Sequence, residues 1–275
     1  MAETEIENDS ESDALSMSFW GHLEALRWVI LRVVIALFLC LVACFIAMPY
    51  LFDHFVLAPT SSDFFLYRCL SGIKGDGVWI PDFSSDSYRV DLINIRVASQ
   101  FMTHVTTSFW FAVILVFPYL IYQLWTFIKP ALYNNERHNV SIAFAGGTFM
   151  FYLGCAVGYC IVFPFTFRFL SQYQISETIV NQISLDSYMS TFLMLILVMG
   201  VVFELPLLAW LLGHLGVINK SFLKQYRRHA VVVLLILAAV ITPTSDPFTL
   251  MMVFLPLYML YELSIRIVKD ADPSE

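Results

Sequence analysis

"WVILRVVIALFLCLVACFIAMPY", residues 28–50, is a nearly uninterrupted apolar run. A helix rises 1.5 Å per residue, so about 20 such residues cross the roughly 30 Å hydrocarbon core of a bilayer. The rest of the chain has the same character. Of its 275 residues, 59% are hydrophobic and only 13% are charged, whereas about a quarter are charged in a soluble domain. The sequence therefore predicts an all-α integral membrane protein.

Further apolar runs, separated by polar breaks, predict six transmembrane helices in total. We place them near 28–50, 98–121, 141–169, 188–212, 229–242 and 249–265. The last two are short, and the run before Pro243 offers only about a dozen apolar residues where a bilayer requires roughly 20. Two interpretations fit this pair: a re-entrant hairpin, or two short spans that locally thin the bilayer.

The positions of Lys and Arg near the ends of the spans predict the orientation. With the N-terminus inside, the outer side receives basic residues only in the loop 51–97. The cytosolic side receives Arg27, Lys129, Arg137, Lys220, Lys224, Arg227, Arg228, Arg266 and Lys269. We therefore expect a multi-pass protein whose N- and C-termini are both cytosolic.

The extramembrane segments complete the expected domain organisation. Residues 1–16 form an acidic tail that buries too little apolar surface to fold, and they lack the basic start of a signal peptide. Residues 17–27 have the apolar spacing of an amphipathic helix, expected at the cytosolic interface. Residues 28–266 form the six-helix membrane domain, whose outer loop 51–97 is expected to cap the first three spans. Residues 267–275 form a cytosolic tail.

Sequence patterns for catalysis and cofactor binding are absent. The chain contains no HExxH, no GxSxG and no GxxxxGK[ST] sequence, and its cysteines form no CxxC pair. We therefore expect no enzymatic activity, no cofactor, no bound metal and no nucleic-acid partner. Any energy source for the protein is expected to lie outside this chain.

"LWTFIKPALYNNERHN", residues 124–139, is a polar elbow between the second and third spans. Pro130 stops the preceding helix, and the elbow leaves Phe127 and Glu136 near the cytosolic water boundary. A carboxylate beside an exposed aromatic ring suits a peptide that carries arginine, because guanidinium binds a carboxylate in a bidentate manner. Alternatively, Glu136 only complements the dipole of the helix that follows. The spacing by itself leaves both interpretations open.

"VFELP", residues 202–206, places Glu204 deep inside the fourth span. A carboxylate at such depth costs about 3 kcal/mol and must face protein or water. Pro206 removes a backbone hydrogen bond nearby and is expected to bend the helix. Glu204 therefore indicates either a proton or ion path or a polar face that a partner uses. The first possibility gives a rival function, a proton-coupled small-solute transporter with Glu204 as the carrier.

Four motifs occur in order: "HLEALR" before the first span, "FIKPALYNNER" between spans two and three, "VFPFTFRF" ending span three and "FELP" in span four. In this order and spacing they resemble the TatC family, the polytopic receptor core of the twin-arginine (Sec-independent) protein translocase. The resemblance extends from about residue 17 to 266. It implies a bacterial cytoplasmic (inner) membrane protein that helps to export folded proteins with the proton-motive force.

The resemblance also implies roles for individual residues. Phe127 and Glu136, with Pro130 between them, match the family's signal-peptide-binding loop, and Pro59 matches the proline of its first outer loop. Glu204 matches the family's intramembrane Glu. The expected partners are twin-arginine signal peptides, single-span Tat subunits of the TatA and TatB type, further copies of this chain in an oligomeric receptor complex, and membrane lipid. Short final spans are a family trait, which favours two true spans over a hairpin.

The first motif departs from the family's pattern, HLxELR. Ala25 occupies the usual Glu position, and the carboxylate of Glu24 lies one residue earlier, about 100° around a helix. Our hypothesis is that Glu136 receives one arginine of the signal peptide and that Glu24, beside Arg27, receives the other through its long side chain.

Overall fold

The computed structural model describes residues 19–70, 88–128, 137–176, 178–179, 181–214, 216–242 and 246–268. Within these ranges the chain is mostly helical. The helices are α1 (Phe19–Leu51), α2 (Phe65–Leu70), α3 (Ser99–Ile128), α4 (Arg137–Val157), α5 (Phe163–Gln172), α6 (Leu185–Val202), α7 (Leu205–His214), α8 (Lys220–Gln225), α9 (Arg227–Ile241) and α10 (Pro247–Ile267).

Helices long and apolar enough to cross a membrane confirm the predicted helical membrane class. Within the described ranges, five segments meet this condition: Glu24–Thr60, Ser99–Phe127, Phe144–Gln172, Leu185–His214 and Pro247–Ile267. The predicted fifth span corresponds to α9, which has 15 residues and is therefore about 22 Å long. That length is well short of a normal bilayer core. The count of six spans thus remains a prediction.

The segment predicted as an interfacial helix is continuous with the first span from residue 19 onwards. A single α-helix of 33 residues runs from Phe19 to Leu51 without a break at residue 27. Pro49 is its only proline and lies in its last turn, where a π-helical turn, Phe52–Val56, follows. The location of residues 17–27 at a membrane interface remains a prediction.

Helices α1 and α3 form an antiparallel pair next to α4. The ring of His104 stacks on Phe45 at 4.0 Å, and its Nε2 donates a 2.8 Å hydrogen bond to the Phe45 carbonyl. Phe117 on α3 stacks on Phe151 of α4 at 3.5 Å. The packed helices therefore form a bundle with one long axis and two ends. We call the end that holds Phe19 the elbow end, and the opposite end the loop end.

The core lies where α4 crosses α6. A β-carbon on Gly154 would come within 2.5 Å of the backbone oxygen of Met199, so only glycine permits this approach of the two helices. The surrounding cluster of buried side chains includes Phe151, Phe192 and Met199. Close packing of small residues is the usual way to associate helices in lipid, where burial of apolar surface contributes little.

At the loop end, three tyrosine hydroxyls donate to the chain that follows α1. Tyr159 donates to the carbonyl of Phe55 at 2.9 Å, and Tyr188 donates to the carbonyl of Val56. Tyr67 donates to the carbonyls of Pro59 and Pro164 at 3.1 and 3.3 Å. We call Tyr67, Tyr159 and Tyr188 the tyrosine clasp. It satisfies carbonyls that a helix end leaves unpaired, and it attaches the end of α1 to α2, to the π-helical turn Gly158–Val162 that follows α4, and to α6.

Arg168 on α5 lies next to the tyrosine clasp and is fully buried. Its guanidinium carbon is 4.6 Å from the centre of the Tyr67 ring and 4.2 Å from the centre of the Tyr88 ring. Tyr88 is in turn hydrogen-bonded to Ser171 at 2.8 Å. A cation between two desolvated aromatic faces stabilises the docking of the outer loop on α5.

Two short strands complete the loop end. β1 (Leu92–Ile93) pairs in parallel with β2 (Ile183–Ser184), in the register Leu92↔Ile183. This pairing brings the segment before α3 next to the segment before α6. Both helices therefore start at the loop end and run parallel to each other towards the elbow end.

Several predicted segments lie outside the described residues. They are the acidic tail 1–16, part of the outer loop 51–97 (residues 71–87), the middle of the elbow (residues 129–136) and the C-terminal tail from residue 269. The expectations for these segments remain predictions.

Candidate functional site

The elbow end carries the first group of predicted binding residues. Glu24 and Arg27 are both exposed on α1, one turn apart, whereas Ala25 is half-buried. A carboxylate at position 24 therefore projects from a more exposed part of the helix than one at position 25. This exposure leaves the Glu24 side chain accessible to a ligand.

Phe127 lies at the same end as Glu24. The Phe45–His104 contact links α1 to α3. Glu24 precedes Phe45 by 21 residues, and Trp125 follows His104 by 21 residues. Along the helix axis, Glu24 and Trp125 therefore both lie about 31 Å from that contact. Phe127 is half-buried, two residues beyond Trp125. This distance along the axis is close to the thickness of the hydrocarbon core of a bilayer. If the loop end lies near one boundary of that core, Glu24 and Phe127 lie near the other.

The rest of the elbow site is only partly described. α3 ends at Ile128 and α4 begins at Arg137, so the predicted residues Pro130 and Glu136 lie outside the described residues. The ring of Trp125 lies 5.4 Å from Phe144 of α4. α3 and α4 therefore meet close to the two ends that the elbow joins.

Glu204 lies at a break between two helices. α6 ends at Val202 and α7 begins at Leu205, with Pro206 in its first turn. Across the break, the Glu204 amide donates to the carbonyl of Val201 at 3.1 Å, a tighter turn than in an α-helix. The predicted helix distortion beside Pro206 is confirmed. It places Glu204 about two-thirds of the way along the discontinuous span Leu185–His214.

The Glu204 side chain is half-buried against α4. Its Oε1 is buried without a hydrogen-bond partner among the described residues. Its Oε2 would lie 3.0 Å from a β-carbon placed on Gly147. An unpaired carboxyl oxygen in an apolar setting is costly, so a further polar group or water is expected to reach it.

Gln123 is a polar residue that the sequence reasoning missed. It is buried on α3, and its Oε1 also has no hydrogen-bond partner within the described ranges. The Phe117–Phe151 stack sets the register of α3 and α4. In that register, the positions of Gln123 and Gly147 along the helix axis differ by about 3 Å. Gln123 is therefore close in depth to Glu204. An amide inside an otherwise apolar run was the signal available in the sequence.

Pro59 lies at the loop end, far from the elbow residues. It is buried in the 3₁₀ turn Ala58–Thr60, where its carbonyl accepts the hydrogen bond from Tyr67. The structure therefore separates the predicted residues into three groups: Glu24, Arg27 and Phe127 at the elbow end, Glu204 inside the bundle, and Pro59 at the loop end. Across the described ranges, no group of three His, Cys, Asp or Glu comes together as metal ligands.

The family assignment comes from comparison with known proteins. Residues 21–256 match the family described as "Sec-independent protein translocase protein (TatC)". The chain belongs to the TatC family. This is a family of protein translocase components and not a family of classical enzymes.

Curated TatC proteins are similar to this chain over most of their length. The TatC of Blattabacterium sp. subsp. Periplaneta americana is 36% identical over 252 residues, which cover 91% of this chain and 94% of the relative. The TatC of Helicobacter pylori strain J99 is 40% identical over 195 residues, 71% of this chain and 78% of the relative.

Solved TatC structures share the same architecture. A crystal structure of the twin-arginine translocase receptor TatC superposes with a TM-score of 0.68 at 27% identity, over 90% of this chain and 97% of that one. A second, in the detergent DDM, gives a TM-score of 0.69 at 26% identity, over 90% and 99%. In this TatC-family chain, "VFPFTFRF" runs from the end of a π-helical turn, Gly158–Val162, into α5, and "FELP" spans the break before α7.

Proposed function

We propose that this TatC-family chain is the signal-peptide-recognising core subunit of a twin-arginine translocase. It would export folded proteins across the bacterial cytoplasmic membrane with the proton-motive force. The observation that carries the proposal is the match to the TatC family over residues 21–256, supported by similarity to a solved twin-arginine translocase receptor over 90% of this chain.

The proposed membrane arrangement has six spans, with both termini in the cytosol and the elbow end facing the cytosol. In this arrangement α9 is a short fifth span paired with α10. The guanidinium of Arg227 donates to Glu262 of α10 at 2.8 Å, and Tyr261 donates to the carbonyl of Leu223 at 2.7 Å. These bonds fix α8 and the start of α9 against α10. They support a defined helix pair at this position.

Recognition of the signal peptide is proposed at the elbow end. Glu136 would bind one arginine of the twin pair in a bidentate manner, Glu24 the other, and Phe127 would stack against the peptide. The exposure of Glu24 and Arg27 beside the end of α3 supports this assignment. Each charge-assisted hydrogen bond contributes about 1.5–3 kcal/mol, so loss of one acceptor should weaken binding by roughly tenfold or more.

The test is photo-crosslinking of signal peptides to probes at positions 24, 127 and 136. A peptide with two arginines should crosslink at all three positions, and the matched peptide with two lysines should not. In co-purification, Glu136→Ala should abolish peptide binding and Phe127→Ala should weaken it. Asp91→Asn, an exposed carboxylate at the loop end, is the control variant. Unchanged co-purification of the peptide with Glu136→Ala and Phe127→Ala would reject the site.

The Glu24 part of the hypothesis has its own test. Glu24→Gln keeps the shape of the side chain but removes its charge, so we expect weaker binding of the twin-arginine peptide. Binding as tight as that of the unsubstituted protein would eliminate Glu24 as the second acceptor, while leaving the role of Glu136 intact.

Glu204 is proposed to dock a single-span Tat subunit that carries its own polar side chain. The unpartnered Oε1 of Glu204 and the buried Gln123 at a similar depth support a polar level in the bundle that needs a further hydrogen-bonding group. Glu204→Ala should lower subunit association or transport and leave peptide binding unchanged. Solute uptake by the purified chain alone in liposomes would instead favour the proton-coupled transporter.

A further inference from the structure

A groove between α3 and α6 opens at the loop end of the bundle. Its volume is about 440 Å³, and it has no role in the proposed recognition of signal peptides. The α3 side contributes Thr103, Thr106, Thr107 and Trp110, and the α6 side contributes Asp186, Ser190, Leu193, Leu197 and Val198, among others. Because α3 and α6 both begin at the loop end, the two helices that form the walls of the groove run in the same chain direction.

Two buried threonines line the groove, and one of them has an unsatisfied hydroxyl. Thr107 is 0% exposed and Thr103 is 8% exposed. The Thr107 hydroxyl is buried without a partner in the described part of the chain. A helical threonine normally bonds the carbonyl one turn earlier, as Thr191 does to Ser187 at 3.0 Å. The buried hydroxyl of Thr107 favours a ligand that offers a hydrogen-bond acceptor.

The polarity of the groove changes along its length. Among its lining residues, Asp186 is nearest the loop end, Thr103 and Thr107 follow along α3, and Leu197 and Val198 are farthest from the loop end along α6. Twelve residues of helix separate Asp186 from Val198, so the groove is about 18 Å long. This is close to one leaflet of a bilayer, roughly half of the 30 Å core. A polar end at the interface and an apolar end inside match a phospholipid.

Both signs of charge are present at the mouth. Asp186 accepts a hydrogen bond from Ser99, and one of its oxygens is 3.9 Å from Nε of Arg96, whose side chain is largely exposed. A carboxylate suits an ammonium group, and an exposed guanidinium suits a phosphate. This combination is complementary to a zwitterionic head group, whereas an anionic head group would be repelled by Asp186.

We propose that the α3–α6 groove binds one phospholipid with a primary-ammonium zwitterionic head group, as in phosphatidylethanolamine. The ammonium group donates to Asp186 and the phosphate accepts from Arg96. The ester carbonyls accept from the hydroxyls of Thr103 and Thr107, and one acyl chain lies along Leu197. The bound lipid fills the gap between α3 and α6, so it acts as part of the wall of the bundle.

Native mass spectrometry of the purified protein tests this proposal. Phosphatidylethanolamine, phosphatidylcholine and phosphatidylglycerol are added separately at equal concentration, without signal peptide or Tat subunits. We expect one retained phosphatidylethanolamine and weaker binding of the other two. Phosphatidylcholine carries a quaternary ammonium without N–H donors, so it isolates the contribution of the bond to Asp186. Equal retention of the three lipids would overturn the proposal.

Substitutions locate the site. Thr103→Val with Thr107→Val removes both hydroxyls at nearly constant shape and should weaken phosphatidylethanolamine binding about tenfold. Thr191→Val is the matched control, because that buried hydroxyl is satisfied within its own helix. Asp186→Asn should remove the preference for phosphatidylethanolamine over phosphatidylglycerol. Unchanged binding in the double variant would contradict the proposal.

A second measurement does not depend on folding of the double variant. A photo-crosslinking probe at the exposed position 190 in inner-membrane vesicles should label phospholipid. Labelling of a protein helix in place of lipid would identify a different occupant and overturn the proposal. Because neither measurement uses a signal peptide, a negative result here would leave the proposed translocase function untouched.

Discussion

The backbone of Gly147 lies directly against the carboxylate of Glu204. A β-carbon on Gly147 would stand 3.0 Å from Oε2 of Glu204 and 2.5 Å from Cδ2 of Leu207. α4 therefore limits where the carboxylate can lie, and it does so without a hydrogen bond. Because Gly147 has no side chain, the carboxylate of Glu204 can lie against the backbone of α4.

Gly147→Ala is expected to displace the Glu204 carboxylate. The atoms in conflict are the far ends of flexible side chains, so the cost in unfolding free energy should be about 1–3 kcal/mol. Transport and association with single-span subunits should fall, while signal-peptide binding stays normal. Gly146→Ala is the matched control, because nothing lies within 4 Å of its added carbon. Equal transport by the two variants would contradict this relationship.

Arg168 is expected to stabilise the outer loop through its contacts with Tyr67 and Tyr88. Arg168→Gln should lower the unfolding free energy by about 2–4 kcal/mol, because two desolvated cation–π contacts are lost. Arg168→Lys should lose less, since it keeps the charge. Thermal unfolding and hydrogen exchange of residues 58–70 measure the effect. Arg89→Gln removes an exposed ion pair with Asp91 and should change stability little.

Tyr159→Phe tests the tyrosine clasp while keeping the ring stack on Phe55, whose centroid distance is 4.0 Å. The Phe55 carbonyl then lacks its donor in an apolar setting, so stability should fall by about 1–3 kcal/mol. Hydrogen exchange should become faster in residues 55–60. Tyr173→Phe, at an exposed position, should have no effect. Identical exchange in the two variants would show that the clasp does not hold this turn.

The docking of the outer loop should depend on alkaline pH through Tyr88. Burial raises the pKa of the Tyr88 phenol from 10.0 to about 12, against the opposing effects of Ser171 and Arg168. Because the pKa is raised in the folded state, the protonated Tyr88 phenol makes its full contribution to the free energy of unfolding below about pH 10. This contribution is lost as the pH rises from about 10 towards 12. Thermal unfolding across this range should show a loss that is smaller in Tyr88→Phe.

Helical segments were predictable from the sequence because each is locally determined. The long apolar runs predicted four of the spans within a few residues, and the first is confirmed as part of a longer helix, Phe19–Leu51. The distortion at Glu204 was also predictable, because Pro206 has no backbone N–H with which to continue the hydrogen bonding of α6. The fifth run indicated a short helix, and α9 is short.

The candidate site was only partly predictable. Motifs identified Glu24, Phe127 and Glu204, but spacing along the chain cannot show which helix lies beside which. Gln123 was missed because its significance depends on its depth relative to Glu204, which follows from the packing of α3 on α4. The pairing of Arg168 with the outer loop was missed for the same reason.

The apolar runs of the sequence by themselves determined a helical membrane protein, because hydrocarbon requires every spanning segment to satisfy its own backbone groups. Four motifs in order gave the resemblance to the TatC family. The tertiary structure alone decided where the polar groups meet. Tyr67, Tyr159 and Tyr188 donate to carbonyls within residues 55–59, and Thr103 and Thr107 line a groove whose other wall is α6. These relationships join residues distant in the chain, so they depend on helix packing, which local propensity does not specify.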